Sequence, residues 1–590
     1  MTVAPTASKS RRVLLITAAG AALLTGGGYA WHVQHQRAVV RAALPETPAL
    51  ESGLAALDAA LQEQSRAAFR GDRRAIAELG HLYHANGLTA EAETCWSFLV
   101  EGGDEDPRWH YYLADLRRLE SDTERMAEHL QRVVQLDPAY TPAWLQLANQ
   151  AFKTGRLEEA EEQYRRRLSL LPGDPYATLG LARIALQRST ASEARQLIES
   201  LVQDHPQFSP GQNIYAEMLA GDGAADQARW HRWLGREAGR YREPDDPWLQ
   251  ELNERCLDPE RLGVLGTIEY QMGRLDLSKR YLERALDLAP NSPPAYERLG
   301  DLYLRQGQLD LAAETFRKGL QVAPIPETPV SLYISLCETL RRLGRADEAL
   351  RVADEAVSQR GASHELQGAR GVALSDLGRD AEAVAAFRLF LESRPTDPDM
   401  NFNLAVSLLP LERRDEALAA LRSALALQPT FPKALSLMAE LELEAGRVEA
   451  AGPFARALYD SYPGMEDARQ LWAEWNLRAG RAAESRHEGD AATNHYQEGL
   501  KALPQHPGLL GTFGVHLLNS GRLQDALNLL QDYRRFRPDD PAGSLYLGEA
   551  YARLGRTEDA RKTLTQGIEL AQRTSNTVVA RRCQEILERL

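Results

Sequence analysis

The sequence is poor in the residues that build cross-linked or reactive sites. Cysteine occurs four times in 590 residues, as Cys95, Cys256, Cys337 and Cys583. None forms CxxC or CxxCH, which excludes a zinc ribbon, a thioredoxin-like pair and a covalent haem site. Also missing are GxGxxG after a strand, a Walker A loop, HExxH, GxSxG and an EF-hand loop, so no motif of dinucleotide, nucleotide, zinc-protease, hydrolase or calcium chemistry is present. The expectation is no cofactor, no metal and no enzyme. Positive charge is in deficit: 69 Lys and Arg against 83 Asp and Glu leave −14. Broad nucleic-acid binding needs a basic face, so no nucleic-acid partner is expected.

The long apolar run lies at the start. Lys9, Arg11 and Arg12 precede an uncharged stretch from Val13 to Trp31. Nineteen residues at ~1.5 Å each reach about 28 Å, enough to span a hydrocarbon core. The basic cluster puts the N-terminus in the cytoplasm, and Tyr29 and Trp31 suit an interfacial belt. The leading reading is a single anchoring helix in an inner membrane, with everything after it on the periplasmic side. The alternatives are a cleaved signal peptide, for which Gly28-Tyr29-Ala30 is a usable site, and a buried soluble helix. Ser10-Arg11-Arg12 also resembles a twin-arginine export motif. Residues 32–48 read as a tether, and a helix carrying Leu50, Leu54, Leu57 and Leu61 on one face comes after it.

What the chain has in abundance is periodicity. In residues 141–172, Trp144, Leu147, Ala148, Gly155, Ala160, Tyr164 and Pro172 stand at the spacings of a helix–turn–helix unit. With Gly155 as the turn, one constant step leads back to Ser121 and Gly87 and on to Ser189 and Gly223. Further blocks with the same step hold Gly273 and Gly307; Gly344, Gly378, Glu412, Gly446 and Gly480; Gly521 and Gly555. A proline stands half a step after many of these turns, as in Pro138, Pro172, Pro290 and Pro395. Gly at the turn tolerates positive φ. Ala five residues on, as in Ala92, Ala160 and Ala312, lets the two helices approach. A bulky residue four further, as in Trp96, Tyr164, Phe316 and Phe387, fills the gap. Leu and then a small residue precede the turn by eight and seven, as in Leu79-Gly80 and Leu299-Gly300. Cys337 falls on that small position and reads as a buried free thiol.

This pattern resembles the tetratricopeptide repeat (TPR). The resemblance implies an all-α, right-handed α-solenoid superhelix of about fourteen repeats, here with one N-terminal transmembrane helix. The boundaries expected are a cytoplasmic tail at 1–12, the anchor at 13–31, a linker and capping helix at 32–65 and an N-terminal array at 66–240. An insertion at 241–257, a C-terminal array at 258–575 and a capping helix at 576–590 complete the chain. Within 141–172, Trp144, Leu147, Ala160, Tyr164 and Pro172 are read as core. The lattice breaks three times: sixteen extra residues after Gly223, three after Gly307 and seven between Gly480 and Gly521, near Ser485–Gly489.

Two surfaces are candidates for partner binding. The first is the inner face, where the family binds peptides through first-helix residues one past the core positions. Carried onto this chain, that face presents Tyr111 and Arg118, then Asn149, Phe152 and Lys153, then Arg183. Asn149, Lys153 and Arg183 are partly similar to the family's clamp for a C-terminal carboxylate, but Glu217 breaks the series. The second is the long insertion, which reads Arg229, Trp230, Arg232, Trp233 and Arg236, then Arg240-Tyr241-Arg242, then Pro244-Asp245-Asp246-Pro247-Trp248, and combines the residue types of hot spots and anion sites. The plainer reading of that stretch is an extended helix whose tryptophans pack and whose arginines are solvated. His81-x-x-His84 places two imidazoles on one helical face, yet without a third ligand it reads as a polar surface pair. The function expected is a protein-binding scaffold in assembly of a cell-envelope complex. The alternative is a periplasmic adaptor in exopolysaccharide or secretion machinery, and an enzyme site hidden in the insertion is the reading from another class.

Overall fold

The computed structural model describes residues 34, 38–238, 244–322, 329–361 and 363–590. The apolar run from Val13 to Trp31, Arg240-Tyr241-Arg242 and most of the proline-rich break at 323–329 lie outside these. Among the described residues there are 31 α-helices and no strand, and no helix is long and apolar enough to cross a membrane.

Each repeat begins and ends for local reasons. Many first helices start on Asp-Pro: Asp106, Asp174, Asp258, Asp397 and Asp540 accept a backbone N–H of the first turn, with Pro next. The carboxylate satisfies a donor that has no partner inside the helix, and proline needs none there. The end of the first helix is a Schellman turn. In the best-formed unit Gly155 N donates to Phe152 O (3.1 Å) and Arg156 N to Ala151 O (2.9 Å). That closure needs left-handed backbone, and Gly155 has φ 76°.

The small residue seven before a turn faces the bulky residue nine after it. A Cβ added to Gly80 would meet the Trp96 ring at 2.8 Å, and one added to Gly371 would meet Phe387 at 2.7 Å. Gly300 stands in the same way against Phe316, and Gly480 against Tyr496. The last pair corrects the lattice. Gly480 is not a turn; it lies inside the helix Glu466–Ser485, and the chain turns at His487, φ 64°. The seven extra residues are helical and sit before the turn, at 466–472, rather than near Ser485–Gly489. Within 141–172, Leu147, Ala160 and Tyr164 are buried, whereas Trp144 is half-buried and Pro172 exposed. Cys337 is a buried free thiol as expected.

The helices pack into two units. The first contains residues up to Met218 together with Leu234–Gly361. Here the helix Ala55–Ala68 buries Leu57 and Leu61, with Leu50 and Leu54 half-buried beside the same core. It covers the flank of the pair Arg73–Ala85 and Thr89–Glu101. The second unit contains Leu219–Trp233 and Ala362–Leu590. Its last helix, Thr577–Leu587, places Cys583 against Leu545 and Leu564.

Candidate functional site

The sixteen-residue break carries the most specific contacts in the first unit. Its described part, from residue 244 on, packs on the repeats. Residues 244–258 run across first-helix residues of the initial repeats, with a short helix at Pro247–Asn253. Asp246 caps that helix, accepting from Leu249 N at 3.2 Å. The same carboxylate accepts from two tyrosine hydroxyls: Tyr140 on Oδ1 at 2.7 Å and Tyr111 on Oδ2. Gln146 Nε2 donates to the Tyr111 oxygen at 2.6 Å. The Trp248 indole stacks on Tyr140 with centroids 3.4 Å apart and meets Tyr111 edge-on at 5.3 Å. Stacking and edge contacts of this kind add about 0.5–1.5 kcal/mol each beyond burial. Burial pushes the Asp246 carboxyl above its ordinary range, and the two hydroxyls only partly offset this.

Downstream the strap is tied to the first repeat. Asn86 Oδ1 accepts from Leu257 N (2.7 Å) and Asp258 N (2.9 Å), and Arg255 reaches Glu78 at 3.3 Å. Upstream, Arg274 Nη1 donates to Asp245 at 2.8 Å while also pairing with Glu269. Between strap and repeats lies a cavity of about 280 Å³ bordered by His84, Asp115, Arg118, Glu269, Arg274 and Tyr281. Its charges are matched. Asp115 pairs with Arg118 at 2.6 Å and with His84 at 3.2 Å. Burial raises the Asp115 carboxyl, but the His84 hydrogen bond and the Arg118 charge outweigh it and leave the group below its usual range.

The inner-face residues divide into two sets. Tyr111 and Arg118 belong to the strapped region, Tyr111 fully buried and Arg118 exposed. Asn149, Lys153 and Arg183 are exposed and Phe152 is half-buried. The Asn149 side chain is held by Tyr164, whose hydroxyl donates to Oδ1 at 2.6 Å.

The arginine–tryptophan stretch follows its plainer reading only in part. The helix Ala225–Glu237 has the ordinary thirteen residues and is not extended. Within the second unit Arg229 pairs with Asp226 and Asp460 and lies over the Tyr459 ring, and Trp233 packs against Gly464. Trp230 is 42% exposed, its ring 5.0 Å from that of Trp233. Arg232 and Arg236 are exposed.

His81 and His84 are not a surface pair. Both are buried, His81 among the rings of Trp96, Trp109 and Tyr112. Among the described residues no group of three potential ligands could hold a metal. Sequence reasoning passed over Tyr140, Gln146 and Asn86. Asp246 and Trp248 were visible in Pro-Asp-Asp-Pro-Trp, where Asp-Pro signals a helix start, but nothing local signals where that helix docks.

Comparison with known proteins supports the repeat reading. Residues 141–184, 264–325, 338–398, 402–466 and 517–576 match tetratricopeptide-repeat families. Over 111 residues the chain is 32% identical to cellulose synthase 1 operon protein C of Komagataeibacter xylinus. That match covers 19% of this chain and 8% of the relative, so the chain spans under a tenth of the relative's length. Among solved structures, YrrB, a TPR protein with an unusual peptide-binding site, is 23% identical over 32% of this chain and 97% of its own, TM-score 0.26. Yeast Tom70 is 16% identical over 70% of this chain and 96% of its own, TM-score 0.33. PilW, a type IV pilus biogenesis factor, is 22% identical over 37% and 96%, TM-score 0.31.

Proposed function

We propose that the tetratricopeptide repeats of this chain form a non-enzymatic scaffold that holds protein partners during assembly of a cell-envelope complex. The observation that carries the reading is the first-helix surface. It already holds a short capped helix, Asp246 with Pro247–Asn253, through side-chain hydroxyls and stacked rings at Tyr111 and Tyr140. Farther along the array, first helices expose Asn149, Lys153 and Arg183, with Phe152 beside them. This mixed polar and aromatic strip suits a peptide segment or helix. Trp230 and Arg232 offer further contacts of hot-spot composition in the second unit, where Arg229 and Trp233 are already engaged, and Arg236 is exposed in the first.

In this reading residues 1–12 stay in the cytoplasm, 13–31 anchor the chain in the inner membrane and the arrays 66–240 and 258–575 stand in the periplasm. A narrower reading, an adaptor in exopolysaccharide or secretion machinery, is favoured by the 111-residue similarity to cellulose synthase 1 operon protein C. The test is photo-crosslinking in native membranes, with the reactive group placed at Lys153, Arg183 or Trp230. The expected result is crosslinks to one or a few envelope proteins, lost when Asn149, Phe152 and Lys153 are replaced together. The full chain should sediment with membranes and a chain lacking residues 1–33 should not. Absence of any crosslinked polypeptide at all three positions would overturn the scaffold, and a soluble full chain would overturn the anchor.

A further inference from the structure

We infer that the groove built by Tyr111, Tyr140 and Gln146 is a receptor for a carboxylate–x–tryptophan segment, and that Asp246-Pro247-Trp248 is its internal occupant. The inference rests on the scaffold reading and adds the chemistry of the ligand. Its partner is a segment of another polypeptide with an acidic residue two before an indole and further acidic residues beside it.

Three observations converge. First, the same two tyrosines contact both side chains. Each Asp246 oxygen has its own tyrosine hydroxyl, and the indole has one ring against its face and another at its edge. Trp248 N donates to the Tyr140 oxygen at 3.3 Å, so the backbone between the two side chains is read as well. Second, this is a costly way to fill a groove. A plug that served packing alone would gain more from an apolar residue than from a desolvated carboxylate, and burial has moved the Asp246 carboxyl in the unfavourable direction. Third, the segment lies outside the repeat lattice, and Leu252 and Cys256 already join it to the core of the first repeats, so the Asp246 and Trp248 contacts are additional to the packing that seats it. Along the same helix face, Asp115, Asn149 and Arg183 all stand six residues before their turns. Arg183 and Lys153 are exposed there and would meet acidic residues flanking an external motif.

The experiment uses the full chain with Asp246→Ala and Trp248→Ala, which leave the groove side chains intact. The probe is a fluorescein-labelled peptide of residues 243–254, Glu-Pro-Asp-Asp-Pro-Trp-Leu-Gln-Glu-Leu-Asn-Glu, monitored by fluorescence polarisation. The vacated chain should bind it at least tenfold more tightly than the unaltered chain does. Adding Tyr111→Phe and Tyr140→Phe should cost at least tenfold again, as should Asp→Asn at the position of Asp246 in the peptide. Equal binding of native and altered peptide, or none by a vacated chain with native helical content, overturns the inference. A second variant covers loss of folding. Tyr140→Phe, with the strap sequence intact, should raise hydrogen exchange over 246–253 at least fivefold and leave Pro107–Leu119 unchanged. No change there overturns the inference too. A concentration-dependent dimer of the unaltered chain, dissolved by the tyrosine changes, would overturn the external partner in favour of a second copy. Failure of the peptide with crosslinking intact would sink only this inference; failure of crosslinking with the peptide bound would sink only the wider scaffold reading.

Discussion

Asp301 illustrates what a single residue contributes when the lattice puts it in an awkward place. It stands six before its turn, on the first-helix face. Burial, with the Glu297 charge added, raises its carboxyl to about 6, and the nearest help is the Ser335 hydroxyl at 3.5 Å. The folded form therefore holds a proton that the unfolded chain releases at lower pH, so stability falls as pH rises from about 4 through 6. Asp301→Asn keeps an acceptor for Ser335 and removes the charge. The full shift corresponds to roughly 3 kcal/mol, and solvent access reduces it to about 1–2 kcal/mol. The variant should melt higher than the parent at pH 7.5, and the gain should shrink as pH falls through 6 and vanish below about 4. No gain at pH 7.5 would show that the charge is already compensated. A different residue-scale cost sits at Ser121, Ser189, Glu412 and His487, with φ 63°, 59°, 60° and 64°. Side chains there occupy backbone that glycine adopts freely. The first three were legible as turns despite lacking glycine, because the spacing marked them.

Among the elements, the helix pair of one repeat is governed by size complementarity between two positions sixteen apart. Glycine faces the large rings: Gly80 with Trp96, Gly300 with Phe316, Gly371 with Phe387, Gly480 with Tyr496. Where the later residue is only Ala353 or Ala455, the earlier one is Cys337 or Ala439. The exception is Tyr164 opposite Ala148; its ring moves on to Gly180 of the next helix and its hydroxyl finds Asn149. Gly300→Ala should cost about 1–3 kcal/mol by overpacking. Combining it with Phe316→Leu should cost less than the sum of the two single changes, a coupling read by a double-mutant cycle in denaturant. Strict additivity would mean that the two sites do not share space. The same rule explains the misread turn. Gly480 lies one full repeat step after Gly446 and also seven before His487, because the insertion happens to be seven long. Spacing alone cannot separate those readings; the Tyr496 ring against Gly480 does.

For the whole molecule, the repeating helices were legible because each unit reports its own turn, cap and contact pair within a single period. The occupied groove was not. It joins Tyr111 and Tyr140 to Asp246, 135 and 106 residues away, and no local pattern encodes such a meeting. The buried state of His81 likewise depends on Trp96 and Trp109 from other helices. Stability in such an array is summed from neighbours, so its ends matter. Deleting Thr577–Leu587 should uncover Leu545 and Leu564 and raise hydrogen exchange in Pro541–Arg553 and Thr557–Arg573. His364–Asp376, in the same unit but far along the chain, should be unchanged; a uniform rise would mean that the unit opens as one cooperative block.

The lengthened helix Glu466–Ser485 has an arithmetic of its own. At about 3.6 residues per turn, seven added residues rotate the helix by nearly two whole revolutions. Every position downstream therefore keeps its bearing. Gly480 still meets Tyr496, while the added turns stack Trp472 on Tyr459 and Trp475. An insertion of five residues, about 140° out of phase, would have swung the buried edge toward solvent. Heptad-sized steps are thus the permitted increments for this scaffold, and the start of a first helix is where a longer arm can be grafted without disturbing the phase of the helices beyond it.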